Sequence, residues 1–146
     1  MLYAWPVSVR RPVIVFLHSG DYDRLHQGAA IAATAAAAGR EVEIFFFWWA
    51  LRALAAGDLA RPEIGGRLGS PEEEALLLRF EARSFPTAAE LLAAARETGL
   101  CRLFACSASA ELLGLRSDAL EGKIDQLLGW AGILARTEGN PDRFYL

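Results

Sequence analysis

Cys106 stands where a predicted buried strand, Arg102 to Ala105, meets a predicted helix opening Ser107-Ala108-Ser109-Ala110-Glu111. A thiol at that join lies close to free backbone N–H groups and to the positive end of a helix dipole. Such surroundings favour the thiolate, which is the reactive species. The plain alternative for a free cysteine is a small buried hydrophobe. Ser107 and Ser109 have hydroxyls that either hydrogen-bond the sulfur or cap the helix, and capping is expected of one of them. Cys101 begins the same strand and is expected to be buried and inert. Across an extended strand the two cysteines lie roughly 16 Å apart, too far for a disulfide.

His18 ends the first predicted strand. It reads either as a base that activates Cys106 or as a loop residue bonded to the backbone. His26 reads as a helix-surface residue. Two cysteines and two histidines show no metal-type spacing, so no metal site is expected. Trp48 and Trp49 follow three phenylalanines. Neighbouring helix positions do not face one way, so one tryptophan, taken as Trp49, is expected to line a pocket or an interface. Ser19-Gly20-Asp21 follows a strand as phosphate loops do, but it lacks GxGxxG and the P-loop lysine. No cofactor is implied.

These residues need elements to position them. Pro12 to His18 is a continuous apolar run with three β-branched residues, suited to a strand buried on both faces. Arg24 to Ala38 is an alanine-rich helix stopped by Gly39. Glu41 to Phe46 reads as a strand and Phe47 to Ala56 as a helix. Gly57 to Gly69 reads as a long irregular loop, a mobile lid or an interface segment. Ser70-Pro71-Glu72-Glu73 and Thr87-Ala88-Ala89-Glu90 are helix starts with cap chemistry. After Gly114 a turn of helix is expected from Ser117, then a brief strand near Ile124. Gln126 to Thr137 reads as one helix with Leu127, Trp130, Ala131 and Leu134 as its apolar stripe. Arg143 to Leu146 closes the chain as a strand.

Alternating strands and helices predict a single three-layer α/β domain with a mainly parallel sheet, flavodoxin-like in class, over residues 12–146. Residues 1–11 show no period and read as an N-terminal arm. In such sheets ligands sit beyond the carboxyl ends of the strands. His18, the tryptophan pair and Cys106 all follow strand ends and are expected to share one rim.

The 146 residues carry a net charge of -3 and are 53% hydrophobic. That balance excludes the basic surface expected of a nucleic-acid binder. The longest apolar run, Ile44 to Leu51, is far short of the ~20 residues of a membrane span. No apolar stretch of secretory type is visible near Met1. Two free thiols point to a reducing, cytoplasmic setting.

The segment Ala105-Cys106-Ser107-Ala108-Ser109-Ala110-Glu111-Leu112-Leu113-Gly114-Leu115 resembles the cysteine motif of the DsrE/DsrF-like family. That family includes the TusD-related sulfur relay subunits and a branch often labelled peroxiredoxin family protein. Three other segments agree in order: 13–24 with the family's first strand and loop, 39–49 with its second strand and aromatic exit, and 129–134 with 143–146 as its last helix and strand. The branch often has methionines where this chain has Ala108 and Ala110. The resemblance implies a cysteine-based sulfur carrier or sulfurtransferase, with Cys106 holding a persulfide between sulfur donor and acceptor proteins. It also implies a homo-oligomer, expected as a trimer or larger. Two further readings stand beside it. One is a non-catalytic homo-oligomeric assembly or small-ligand-binding module with an apolar ligand held against Trp48 or Trp49. The other is a thiol peroxidase, which would borrow its resolving thiol from a partner.

Overall fold

The computed structural model describes residues 11–63 and 70–146. The expected N-terminal arm, apart from Arg11, and the end of the 57–69 loop lie outside the described residues. Five strands form one parallel sheet: β1 (Val13–Leu17), β2 (Val42–Phe46), β3 (Cys101–Cys106), β4 (Gln126–Leu128) and β5 (Arg143–Tyr145). Their order across the sheet is β4-β3-β2-β1-β5. Among the described residues seven α-helices accompany them: α1 (Tyr22–Ala37), α2 (Trp48–Ala56), α3 (Pro71–Ala82), α4 (Ala88–Glu97), α5 (Ser107–Leu112), α6 (Ser117–Leu120) and α7 (Trp130–Thr137). The chain is thus the expected three-layer α/β domain.

The strand order explains the layers. From β1 to β4 each crossover steps one strand further in the same direction. Right-handed crossovers then place their helices on one face. The last crossover, through α7, runs back past β1 to β5, so α7 lands on the opposite face. Burial agrees. Val13, Val15, Leu17, Ile44 and Leu103 share a core with residues of α1, α2 and α4, whereas Phe16, Phe45, Phe104 and Cys106 share one with Ile133 of α7.

The central strands β1 and β2 are buried at every position, as a strand covered on both sides must be. Helix α1 comes close because its sheet side is Ala29, Ala32 and Ala36 with Gly28. A Cβ on Gly28 would stand 2.8 Å from a Leu17 methyl. The two cap sequences behave as their chemistry predicts. Ser70 accepts a hydrogen bond from the Glu73 backbone, and Thr87 with Glu90 forms a complete capping box. Helix α3 nonetheless contributes no buried residue.

Three expectations are corrected. Gln126 to Thr137 is not one helix: its first three residues are β4, Gly129 caps the helix, and α7 begins at Trp130. The strand placed near Ile124 is this β4. Asp125 pins the chain beside β3, its N–H donating to the Leu103 carbonyl at 2.8 Å and its carboxylate accepting from the Leu103 N–H at 2.7 Å. Tertiary pairing here overrides local helix preference. The apolar stripe also turns outward. Trp130 and Leu134 are exposed, and the sheet side of α7 is Ile133 and Thr137. Finally, residues 58–60 form a 3-10 turn that buries Leu59, so the first part of the 57–69 loop is a packed connector.

Candidate functional site

Parallel register lines up the carboxyl ends of the strands. Leu17 pairs with Phe46, Phe46 with Ala105, and Cys106 with Leu128. The next row outward on the α7 face is therefore His18, Phe47, Cys106 and Leu128. The expected shared rim is formed: His18, Trp48, Trp49 and Cys106 all lie along it.

Cys106 occupies a topological switch point. The chain leaves β3 through Cys106 toward α5 on one face, and leaves β4 through Leu128 toward α7 on the other. Adjacent strands whose exits diverge open a crevice between them, the usual ligand position in such sheets. Here the crevice is closed: Gly129 lies against Ser107, and a Cβ built on it would stand 3.6 Å from the Ser107 hydroxyl, ordinary contact distance. Cys106 itself is the N-cap residue of α5, and neither Ser107 nor Ser109 caps that helix. The expected serine cap is thus corrected: the strand runs straight into the helix, leaving both serines inside its first turn. Ser109 is buried and Ser107 half-buried.

Cys106 is only 2% exposed and shares a core with Phe47, Phe104 and Ile133. Cys101, at the other end of β3, is also buried, and burial pushes its thiol up to about 11. No disulfide joins the two.

His18 is not hydrogen-bonded to Cys106. It stands two strands away, on the order of 10 Å between backbones. Its ring lies flat on Phe47, with centroids 4.5 Å apart and planes 6° from parallel. Burial lowers its pKa from the ordinary value, which keeps the imidazole neutral at pH 7. Phe47 in turn stacks on Trp130 at 5.0 Å. The rim is therefore a ring column, His18–Phe47–Trp130, beside the thiol.

Trp48 is 48% exposed, Trp49 59% and Trp130 50%, so both members of the Trp48–Trp49 pair face outward. Trp48 has φ 44, the left-handed region, where a bulky side chain is strained. The reason is local: Phe47 must enter the core as the last residue of its row while α2 begins at once. Trp49 packs its Cβ over Gly20, where any side chain would meet it at 3.1 Å.

No protein-family model matches this chain. No curated protein matches it either. No helix among the described residues is long and apolar enough to cross a membrane.

Sequence reasoning missed Phe47 and Trp130 as rim residues. Phe47 was hidden in an aromatic run, and Trp130 was placed mid-helix because the β4–Gly129 break was not seen. It also missed the Glu43–Arg136 pair under α7, at 2.7 Å. An acidic residue inside the apolar run of β2 was its only signal.

Proposed function

We propose that the protein is a cysteine-based sulfur carrier of the kind the Cys106 segment resembles. The observation that carries this reading is the position of Cys106 at the β3/β4 switch point, where ligands usually approach sheets of this kind. In the carrier step the Cys106 thiolate attacks the outer sulfur of a donor persulfide. The donor's S–S bond breaks, the donor leaves as a thiolate, and Cys106 holds the new persulfide. An acceptor thiolate then takes that outer sulfur and Cys106 departs as thiolate, so no net oxidant is needed. Because the thiol is buried, transfer requires the Leu128–Trp130 side of the crevice to yield when a donor docks. The exposed Trp48, Trp49, Trp130 and Leu134 supply apolar surface for that docking and for a homo-oligomer of three or more subunits. Two unpaired thiols suit a cytoplasmic setting.

The test is intact-protein mass after exposure to a sulfane donor. One added sulfur is expected, lost in Cys106→Ser and kept in Cys101→Ser. Persulfide on folded Cys106→Ser would overturn the assignment. A second reading, an assembly or small-ligand module at the same rim, is favoured by the burial of Cys106 beside three exposed tryptophans. It predicts no added sulfur and saturable quenching of tryptophan fluorescence by an apolar ligand.

A further inference from the structure

Away from the thiol, a cavity of about 560 Å³ opens between the first turns of α1 and helix α3. Its walls are rings. Phe80 meets Tyr22 edge-on at 6.5 Å and His26 edge-on at 5.6 Å, and Phe85 closes the side at 5.8 Å from Phe80. Two of these rings are fixed by the start of α4 and the segment before it. The Tyr22 hydroxyl accepts from the Ala88 N–H at 3.0 Å, and His26 Nε2 lies 3.0 Å from the Pro86 carbonyl. A carbonyl only accepts, so Nε2 carries the proton and Nδ1 is left as a free polar atom of the ring. Two guanidiniums, Arg79 and Arg83, stand one helical turn apart on the lining, against one carboxylate, Asp23. Arg79 is oriented by its Nε bond to the Ala75 carbonyl.

We propose that this cleft binds a small aromatic monocarboxylate, a one- or two-ring arene acid. The observations select each part of that ligand. The accessible ring surfaces of His26, Phe80 and Phe85, backed by the buried Tyr22, favour a flat aromatic guest over a flexible chain. The volume lies within the range of small-molecule sites. Two arginines against one aspartate leave a local charge of one, which suits a monoanion better than a phosphate ester. The planar guanidinium fork matches a carboxylate bidentately. Phe80 reaches the cleft from a helix that buries nothing of its own, so its ring is available to a guest without dismantling the core. The site is independent of the Cys106 reading.

The probe is 2-naphthoate, titrated by calorimetry into the whole protein, with 2-naphthamide as its neutral counterpart. One saturable site per chain is expected, with naphthoate bound at least tenfold more tightly than the amide. Phe80→Ala should weaken both at least tenfold. The double variant Arg79→Gln, Arg83→Gln should weaken naphthoate about tenfold and leave the amide unchanged, a result that does not depend on how Phe80→Ala folds. Absence of saturable binding would overturn the proposal. So would equal affinity for acid and amide, or binding lost in Trp49→Ala and retained in Phe80→Ala, which would move the guest to the rim. An assembly in solution that loses subunits in Phe80→Ala, with naphthoate ignored by the wild type, would show that a second copy of the chain fills the cleft instead.

Discussion

The two faces of the sheet solve the same covering problem differently. On one face, Val13, Val15, Leu17, Ile44 and Leu103 meet α1, α2 and α4, whose sheet sides are mostly alanine and leucine. Small side chains let several helices lie close together. On the other face, among the described residues, there is one helix of eight residues. A helix is about 10 Å across, while five strands span roughly 19 Å between the outer two. One helix cannot cover that width. Flat rings do so instead. Tyr145, Phe16, Phe45 and Phe104 stack across four strands with centroids 4.8, 5.4 and 4.9 Å apart, and the Arg136 guanidinium lies 4.5 Å over the last of them. The lesson is that the helix-poor face holds itself together by ring stacking and one ion pair. It leaves the rim, with Cys106, free of helix cover except at the start of α7.

The contrast is broken most severely at Phe45. It is 1% exposed and central in the ring row, next in sequence to Ile44, which faces the helices. Phe45→Ala is expected to cost about 4 kcal/mol, from lost burial plus two lost stacks. Ile44→Val should cost only about 1 kcal/mol, because the helix side keeps its other contacts. Urea unfolding measures both. A Phe45→Ala cost below about 2 kcal/mol would mean the rings close up without it, and the stacked row would not be what holds that face.

The next largest effect tests the ion pair. The Glu43 side chain is 9% exposed and bonds Arg136 through one oxygen, Oε1; the other, Oε2, is buried without a partner. Arg136→Met leaves that carboxylate buried alone and is expected to cost about 3 kcal/mol. Adding Glu43→Leu should restore most of it, since the charge that needed a partner is gone. Equal stability of the wild type and Arg136→Met would show that α7 is docked by Ile133 alone.

A smaller effect belongs to the helix-rich face. Cys101 is buried there, and its thiol ionises at about 11 when folded against an ordinary 9.0; burial is the main cause, Arg96 opposes it and Asp125 adds to it. The folded pKa is raised, so the contribution is whole below pH 9. As pH climbs from 9 toward 11 the unfolded thiol ionises first, and about 2 kcal/mol of stability is lost. The difference between wild type and Cys101→Ala across that window isolates the term from other alkaline titrations. A flat difference would place the thiol in contact with water.

What could be read from sequence follows the range of the interactions involved. The three central strands, the alanine helix and both cap motifs were legible because their signals are local: β-branched runs, small-residue faces, Ser70 with Pro71, Thr87 with Glu90. The shared rim of His18, Trp49 and Cys106 was legible because topology places strand exits together. The break at Gly129 was not, because it is imposed by Asp125 bonding to Leu103 across the sheet. With that break unseen, Trp130 could not be set on the rim, and the outward turn of Leu134 stayed hidden. The burial of Cys106 was illegible for the same reason, since what covers it comes from α7 and from Phe47.

The smallest expected effect compares the two capped helices. Both N-caps are made: Ser70 Oγ accepts from the Glu73 N–H and Thr87 Oγ1 from the Glu90 N–H, each at 3.2 Å. Removing such a cap frees one backbone donor and costs about 1 kcal/mol of helix stability wherever it occurs. The global consequence differs with what the helix buries. Helix α4 buries Ala88, Leu92 and Ala95, so it unfolds only with the core, and Thr87→Ala should lower global stability by about 1 kcal/mol. Helix α3 buries nothing, so its loss of order need not be shared with the sheet. Ser70→Ala should change the urea midpoint hardly at all, while speeding amide exchange within α3 about fivefold, the rate equivalent of about 1 kcal/mol in local opening. Exchange unchanged in α3 with a lowered global midpoint would show that α3 unfolds together with the core, and the ring-lined cleft beside α1 would then be part of the folded unit.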